Sequence, residues 1–105
     1  MIDVPRGACL VVFVSCRAAG EDEEYDTFAG QMAELVERQP GYLGSVSVRD
    51  PHTLMGITAA SFASEQHALA WKNVVEHRRA QQAGRDRLYA DYQVIVTQVM
   101  RSYRR

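Results

Sequence analysis

The chain has 105 residues, 47% of them hydrophobic and 24% charged, with a formal net charge of −1. This length supports a single domain with one core, which we expect to span residues 1–105. A net charge close to zero provides no general attraction for nucleic acid or a membrane surface, and the apolar run ACLVVFVS is too short to cross a bilayer.

The first predicted element is a strand over the valine-rich segment Ala8–Ser15. The two cysteines of the chain, Cys9 and Cys16, lie in or directly after this segment. Along one strand their Cα atoms would be about 23 Å apart, whereas a disulfide requires a separation below about 7 Å. We therefore expect both thiols to be reduced packing residues, which is typical of a cytoplasmic protein.

A helix is predicted next, from Glu21 to Arg38. Apolar residues recur there at steps of three and four, and acidic residues occupy the first turn, where the helix dipole favours them. The sequence QPG at Gln39–Gly41 ends the helix. The apolar stripe consists of Tyr25, Phe28, Met32, Leu35 and Val36.

The second half of the chain reads as two strands, a helix and a last strand. Strands are predicted over Tyr42–Arg49 and Leu54–Ala63, with RDPHT as the turn near their junction. Ser64 can cap a second helix, which we expect to extend, in one piece or two, to about Tyr89. The last strand is predicted over Tyr92–Tyr103. The order β-α-β-β-α-β is that of the ferredoxin-like sandwich, an α+β fold.

Two of the predicted strands are apolar on both faces. The first has Leu10, Val12 and Val14 on one side and Val11 and Phe13 on the other, and the last has Val94 and Val96 against Ile95 and Val99. The helices of this fold cover one face of the sheet, so an apolar second face needs another cover. We predict a homodimer packed sheet against sheet, because the chain has no further residues to supply that cover.

The candidate site lies in AWKNVVEHRRAQQAGRDRLYADY, which concentrates ring-bearing and ionisable residues in a predicted helix. If Ala80 and Leu88 mark the inward face, then His77 and Gln81 also point inward, one turn apart. An inward polar group needs a partner, which can be a residue, water or a ligand. With Trp71 as an apolar wall, these groups would form a small-molecule site. The alternative is a core tryptophan and a histidine satisfied within the fold.

No zinc-like spacing of cysteine and histidine, phosphate-binding loop or nucleophile elbow occurs in the sequence, so we predict no metal site. Arg85 and Tyr89 are expected on the neighbouring helix face, closer to solvent, beside Arg78 and Gln82.

Two stretches, ERQPGYLGSVSVRD and GITAASFASEQHALAWKNVVEHRRAQQAGRDRLYADYQVIV, resemble the antibiotic biosynthesis monooxygenase (ABM) domain family. The resemblance covers nearly the whole chain. It implies a dimeric α+β barrel, in which two ferredoxin-like units pack sheet to sheet, and this agrees with strands that are apolar on both faces.

The resemblance implies one of two chemistries. One branch of the family contains cofactor-independent oxygenases, in which the anion of an aromatic polyketide or quinol-like substrate reduces molecular oxygen without metal or flavin. The protein then supplies orientation, proton transfer and a dry pocket. His77 is the candidate base, since imidazole titrates near neutrality, and Trp71 is the second candidate catalytic residue. The candidate substrate-binding residues are Phe13, Phe62, Gln81, Arg85 and Tyr89.

The other branch binds and degrades haem, and its axial histidine follows the helical tryptophan by about ten residues. Counting from Trp71 reaches Gln81, and glutamine is a poor haem ligand, so His77 would have to replace it from one turn away. We therefore predict no cofactor, with haem as the less favoured alternative. A third alternative is a dimeric module that binds a small molecule without catalysis. Where the family often has a tryptophan near the end of the third strand, this chain has Phe62, which keeps the ring and loses a hydrogen-bond donor.

Overall fold

A computed structural model of the chain describes residues 1–20, 22–81 and 88–105, and at 79–81 it describes the backbone without the side chains. The described elements follow the order β-α-β-β-α-β, so the predicted ferredoxin-like α+β fold is confirmed. Their bounds are β1 Cys9–Arg17, α1 Asp22–Glu37, β2 Tyr42–Arg49, β3 Met55–Phe62, α2 Glu65–Gln81 and β4 Tyr89–Gln98.

The strands form one antiparallel sheet in the order β2-β3-β1-β4, which places β1 in the centre. At its middle, Val12 pairs with Ala59 of β3 and Ile95 of β4. Successive side chains along a strand point to opposite faces, so the register defines two faces of the sheet. The helix face carries Cys9, Val11, Phe13 and Ser15 of β1, and the open face carries Leu10, Val12 and Val14.

The core lies between the helix face and the two helices, in two clusters. The first cluster joins Cys9, Val36, Ala60, Phe62 and Ala68. The second joins Tyr25, Phe28 and Leu88. Helix α1 contributes to both, because the apolar stripe predicted along it faces the sheet and its residues at either end are buried.

Both cysteines are free thiols, as predicted. Cys9 is 4% exposed within the first cluster. Burial raises the pKa of its thiol, and the carboxylate of Glu65 raises it further. Because the thiolate is the reactive form of cysteine, this environment disfavours reaction at Cys9 and agrees with the predicted packing role.

The end of the second helix differs from the prediction. In the described part of the chain α2 ends at Gln81, and Tyr89 begins β4 instead of closing the helix. Tyr89 pairs with Arg17 of β1, and the backbone N–H of Ala18 donates to the carbonyl of Leu88 at 2.8 Å. These sheet contacts override the helical pattern of the local sequence. The last strand also ends earlier than predicted, at Gln98.

The open face exposes apolar side chains from several strands. Val46 and Val48 of β2 are 51% and 63% exposed, and Ile57 of β3 is 48% exposed. Ile95 of β4 lies on the same face and is 38% exposed. The apolar character of both faces is therefore confirmed, and the dimer that would cover the open face stays a prediction. Neither described helix is long and apolar enough to span a membrane.

Candidate functional site

Helix α2 has Ala68, Trp71 and Val75 on one side, at steps of three and four residues, and each of the three is at least partly buried. Ala68 is 4% exposed, and Trp71 is half-buried against the first cluster. His77 follows Ala68 by nine residues, or about two and a half turns, and so lies on the opposite side of the helix. Its side chain is exposed. The predicted inward orientation of His77 is therefore wrong in the single chain, because the helix phase was set by Ala80 and Leu88 together and Leu88 is not in the helix.

The remaining predicted site residues whose side chains the structure describes form two groups on the helix face. Phe62 is fully buried at one end of the helix face, where its ring lies 6.0 Å from that of Tyr42. It pairs with Cys9, whereas Phe13 lies four residues further along β1, about 13 Å away. Phe62 lies in the first cluster, against which Trp71 packs, so these two residues are near each other and Phe13 is in another part of the helix face. The predicted roles of the Gln81 side chain and of Arg85 lie outside the described residues.

Phe13 belongs instead to an aromatic group at the other end of the helix face. The centroid of its ring lies 5.5 Å from that of Tyr89 and 5.6 Å from that of Tyr92. The two tyrosines come to the same face because the register between β1 and β4 shifts at Cys16/Arg17. Such a bulge redirects a side chain that strict alternation would place on the other face.

The same face of β4 continues as exposed apolar surface. Val94 pairs with Phe13 and is 45% exposed, and Val96 pairs with Val11 and is 54% exposed. We define the aromatic strip as Phe13, Tyr89, Tyr92, Val94 and Val96. A half-open apolar surface with several rings is suited to a flat aromatic molecule, because rings gain additional energy from stacked and edge-to-face contacts.

Beside the aromatic strip are two arginines that the sequence analysis did not select. Arg17 is the last residue of β1 and Arg49 the last residue of β2, and both strands run antiparallel to β3 between them. Their guanidinium carbons lie 5.5 Å and 4.2 Å, respectively, from the ring centroid of Tyr25, within the range of cation–π contacts. We define the arginine pair as Arg17 and Arg49. Because β1 and β2 run in the same direction, their last residues lie at the same edge of the sheet. The predicted fold could therefore have placed the two arginines near each other.

The arginine pair is incompletely satisfied. Arg17 forms an ion pair of 3.4 Å with the exposed Asp22, and its own side chain is 12% exposed. Nε of Arg17 and Nη1 of Arg49 are buried and have no hydrogen-bond partner among the described residues. Leaving a buried donor without an acceptor costs about 1–3 kcal/mol, and more for a charged group, so two such donors side by side are unusual for a region with a purely structural role.

The electrostatic environment agrees with this picture. Burial lowers the pKa of the Arg49 guanidinium, Tyr89 acts in the opposite direction, and the neighbouring charge of Arg17 lowers the pKa again. Gly56 makes room for this arrangement, because a Cβ atom at Gly56 would lie 2.9 Å from Nη1 of Arg49. The site therefore places positive charge in a partly dehydrated region with an aromatic wall.

The positions of the three histidines, all in the described part of the chain, differ from that expected of a haem ligand. Nδ1 of His67 is 2.7 Å from Oγ of Ser64, and its ring packs where a Cβ atom of Gly41 would be. His52 is exposed in the turn between β2 and β3, and His77 is exposed on the outer side of α2. A haem ligand has to project from an apolar pocket, and none of these side chains does. No group of three metal-ligating side chains occurs among the described residues.

Comparison with known proteins defines the relationships of the chain. No protein-family model matches it. It is 35% identical over 91 residues to YqjZ of Bacillus subtilis, an uncharacterized protein, and the match covers 87% of this chain and 78% of YqjZ. The chain belongs to the same family as YqjZ.

Solved structures with the same fold include three ABM-type proteins. A candidate antibiotic biosynthesis monooxygenase of Nitrosomonas europaea superposes with a TM-score of 0.69 and 10% identity, covering 91% of this chain and 93% of that one. A variant of SnoaB, a cofactor-independent oxygenase of Streptomyces nogalater, superposes with a TM-score of 0.68 and 17% identity, covering 91% of this chain and 96% of SnoaB. The haem degrader MhuD of Mycobacterium tuberculosis, with two haems in its active site, superposes with a TM-score of 0.67 and 18% identity, covering 90% of this chain and 98% of MhuD.

These identities show the fold and not the activity. The fold is that of an ABM-like domain, so the resemblance predicted from the sequence is confirmed. Because SnoaB and MhuD share this fold and differ in the use of haem, the choice between their chemistries depends on the residues of this chain.

Proposed function

We propose that the protein is a cofactor-independent monooxygenase of a small aromatic, quinol- or polyketide-like substrate and that it acts as a homodimer. The observation that supports the activity is the aromatic strip, an apolar surface with three rings that the helices leave partly open. The strip lies in a fold shared with a cofactor-independent oxygenase. We also propose a cytoplasmic location, which the two free thiols favour.

The reaction requires an electron-rich ring and molecular oxygen. With anthrone as the substrate, one ring carbon loses two hydrogens and gains one oxygen atom, and the second oxygen atom leaves as water. The products are anthraquinone and water, so the substrate supplies all the electrons. The protein holds and orients the ring on the aromatic strip and accepts the proton that forms the anion.

The proposed roles follow this division. Phe13 and Tyr89 contact the substrate ring, and Trp71, which is half-buried beside the first cluster, orients α2 against the sheet. His77 is the proposed proton acceptor, and it would have to exchange its proton through water because its side chain is exposed. Gln81 and Arg85 are proposed to bind substrate oxygens.

We expect the protein to accelerate oxygen uptake by anthrone above the rate of uncatalysed oxidation, and Phe13→Leu to lower kcat/KM by up to about tenfold, since ring contacts contribute about 0.5–1.5 kcal/mol. An oxygen electrode and the absorbance of anthraquinone measure the reaction, and added catalase should release no oxygen because the by-product is water. Leu69→Ala is the matched control, since Leu69 is 53% exposed on α2. Uptake no faster than the uncatalysed reaction would refute the proposed activity, and anthrone binding without uptake would favour a non-catalytic module.

Substitution of His77 tests its proposed catalytic role without a large effect on the stability of the fold. Because its side chain is exposed, we expect the free energy of unfolding of His77→Ala to lie within about 0.5 kcal/mol of the wild-type value. If His77 accepts the proton, the rate of oxygen uptake should fall by about 100-fold or more, and the limb of the pH–rate profile near neutrality should disappear. An unchanged pH–rate profile would remove His77 from the mechanism.

A further inference from the structure

We propose that the arginine pair binds the carboxylate of an aromatic acid whose ring lies on the aromatic strip. This inference rests on the proposed function and narrows its substrate class from aromatic compounds to aromatic carboxylic acids. It begins from the two buried donors, Nε of Arg17 and Nη1 of Arg49, that have no acceptor in the described part of the chain.

The charges at this location favour a monoanion. Asp22 is the carboxylate that pairs with Arg17, and among the described residues no ion pair is formed by Arg49. Within the part of the chain that the structure describes, the arginine pair therefore has one guanidinium without a carboxylate partner. A carboxylate carries one negative charge at neutral pH and offers two oxygens to the donors of a guanidinium fork, whereas a phosphate monoester carries nearly two charges.

The ring of Tyr89 connects the two parts of the proposed site. Its centroid is 5.7 Å from that of Tyr25, on which both arginines stack, and 5.5 Å from that of Phe13 in the aromatic strip. A continuous series of contacts therefore leads from the two guanidinium groups, through the ring of Tyr25, to Tyr89 and the rest of the aromatic strip. A molecule that carries both a flat aromatic ring and a carboxylate has the two groups that this combination of rings and guanidinium donors can bind.

The position of Arg49 depends on Gly56, and this offers a second way to perturb the site. The guanidinium lies over the glycine, where a Cβ atom would be 2.9 Å from Nη1 and 3.1 Å from Cζ. Gly56→Ala keeps every charge of the protein and displaces the guanidinium. The backbone of Gly56 lies within β3 and has no positive φ, so alanine is accommodated without backbone strain.

The experiment compares the binding of 2-naphthoate and of its neutral amide, 2-naphthamide, by isothermal titration calorimetry. We expect the wild type to bind the acid about tenfold or more tightly than the amide, with a preference that decreases as salt is added. Arg49→Met and Gly56→Ala should remove the preference and leave the affinity for the amide within about twofold. Arg38→Met, which removes an exposed arginine beyond the end of α1, should behave as the wild type.

A structural role for Arg49 predicts a different result. If the arginine only stabilises the fold, Arg49→Met should melt at a lower temperature than the wild type. We expect its melting temperature without ligand to be equal or higher, because the substitution removes a buried charge without an acceptor. Should Arg49→Met fail to fold, Gly56→Ala alone decides the question.

Equal affinity of the wild type for acid and amide would overturn the inference, and so would a preference that survives in both variants. Oxidation of anthrone without any preference for naphthoate would overturn this inference and leave the proposed function standing. A preference for naphthoate without oxygen uptake from any aromatic compound tested would support the carboxylate site and overturn the proposed oxygenase.

Discussion

Ile57→Glu is expected to convert a dimeric protein into a monomer. Ile57 is 48% exposed in the single chain and lies on the open face, in a row with Val48 and Val14. In a two-fold symmetric dimer packed through that face, the substitution would bury two carboxylates without partners, at a cost of several kcal/mol for each ion. Sedimentation velocity at micromolar concentration measures the change directly.

The same substitution should leave the fold of the single chain intact, because the side chain is half-exposed there. Leu69→Glu is the matched control: Leu69 is 53% exposed and lies on α2, away from the open face. We expect Leu69→Glu to sediment as the wild type does. A wild type that is monomeric at micromolar concentration would show that the sheet-to-sheet dimer is wrong, and dissociation of both variants would place the interface elsewhere.

The fold was predictable because its signals are local. Strand β2 has the predicted bounds, Tyr42 and Arg49, since turn residues flank it on both sides. The stripe along α1 places Tyr25 and Val36 in the core because a period of 3.6 residues specifies one face. Side chains alternate between the two faces of a strand, so the run of apolar residues in β1 predicted that both faces of the sheet are apolar.

The candidate site was less predictable because it depends on where α2 ends. A shift of the assumed phase by a few residues turns a helical side chain from the core to solvent, and this occurred for His77. Tyr89 has helix-forming neighbours and nevertheless pairs in the sheet, since its ring packs on Phe13 and Tyr25. Contacts with residues far away in the sequence determine this placement, and the secondary-structure propensity of the neighbouring residues does not indicate them.

Prediction of the arginine pair from the sequence would have required the order of the strands and the position of Gly56 relative to Arg49. Arg17 and Arg49 are far apart in the sequence, and their proximity to the same tyrosine ring depends on the order of the strands and on the absence of a side chain at Gly56. A charged residue that ends a strand is ordinary. The buried donors without acceptors, which distinguish these two arginines, follow from the three-dimensional structure and not from the sequence.

Phe62→Ala should cause the largest loss of stability, about 3–5 kcal/mol in the free energy of unfolding. Phe62 is 0% exposed, belongs to the first cluster and packs its ring edge-to-face with Tyr42. Truncation would leave a cavity bounded by both helices and the sheet. Urea denaturation monitored by circular dichroism measures the change, and the slope with denaturant shows whether the transition stays two-state.

The comparison with Phe62→Leu separates a core residue from a residue that contacts substrate. Leucine retains most of the apolar volume, so we expect it to cost less than alanine in the free energy of unfolding and to preserve oxygen uptake. Phe13→Leu should show the opposite balance, with a small change in stability and a clear loss of kcat/KM, because Phe13 lies beside the open surface at Val94. If Phe62→Leu lowers kcat/KM as much as Phe13→Leu does, the substrate extends to the first cluster, and the site is larger than the aromatic strip.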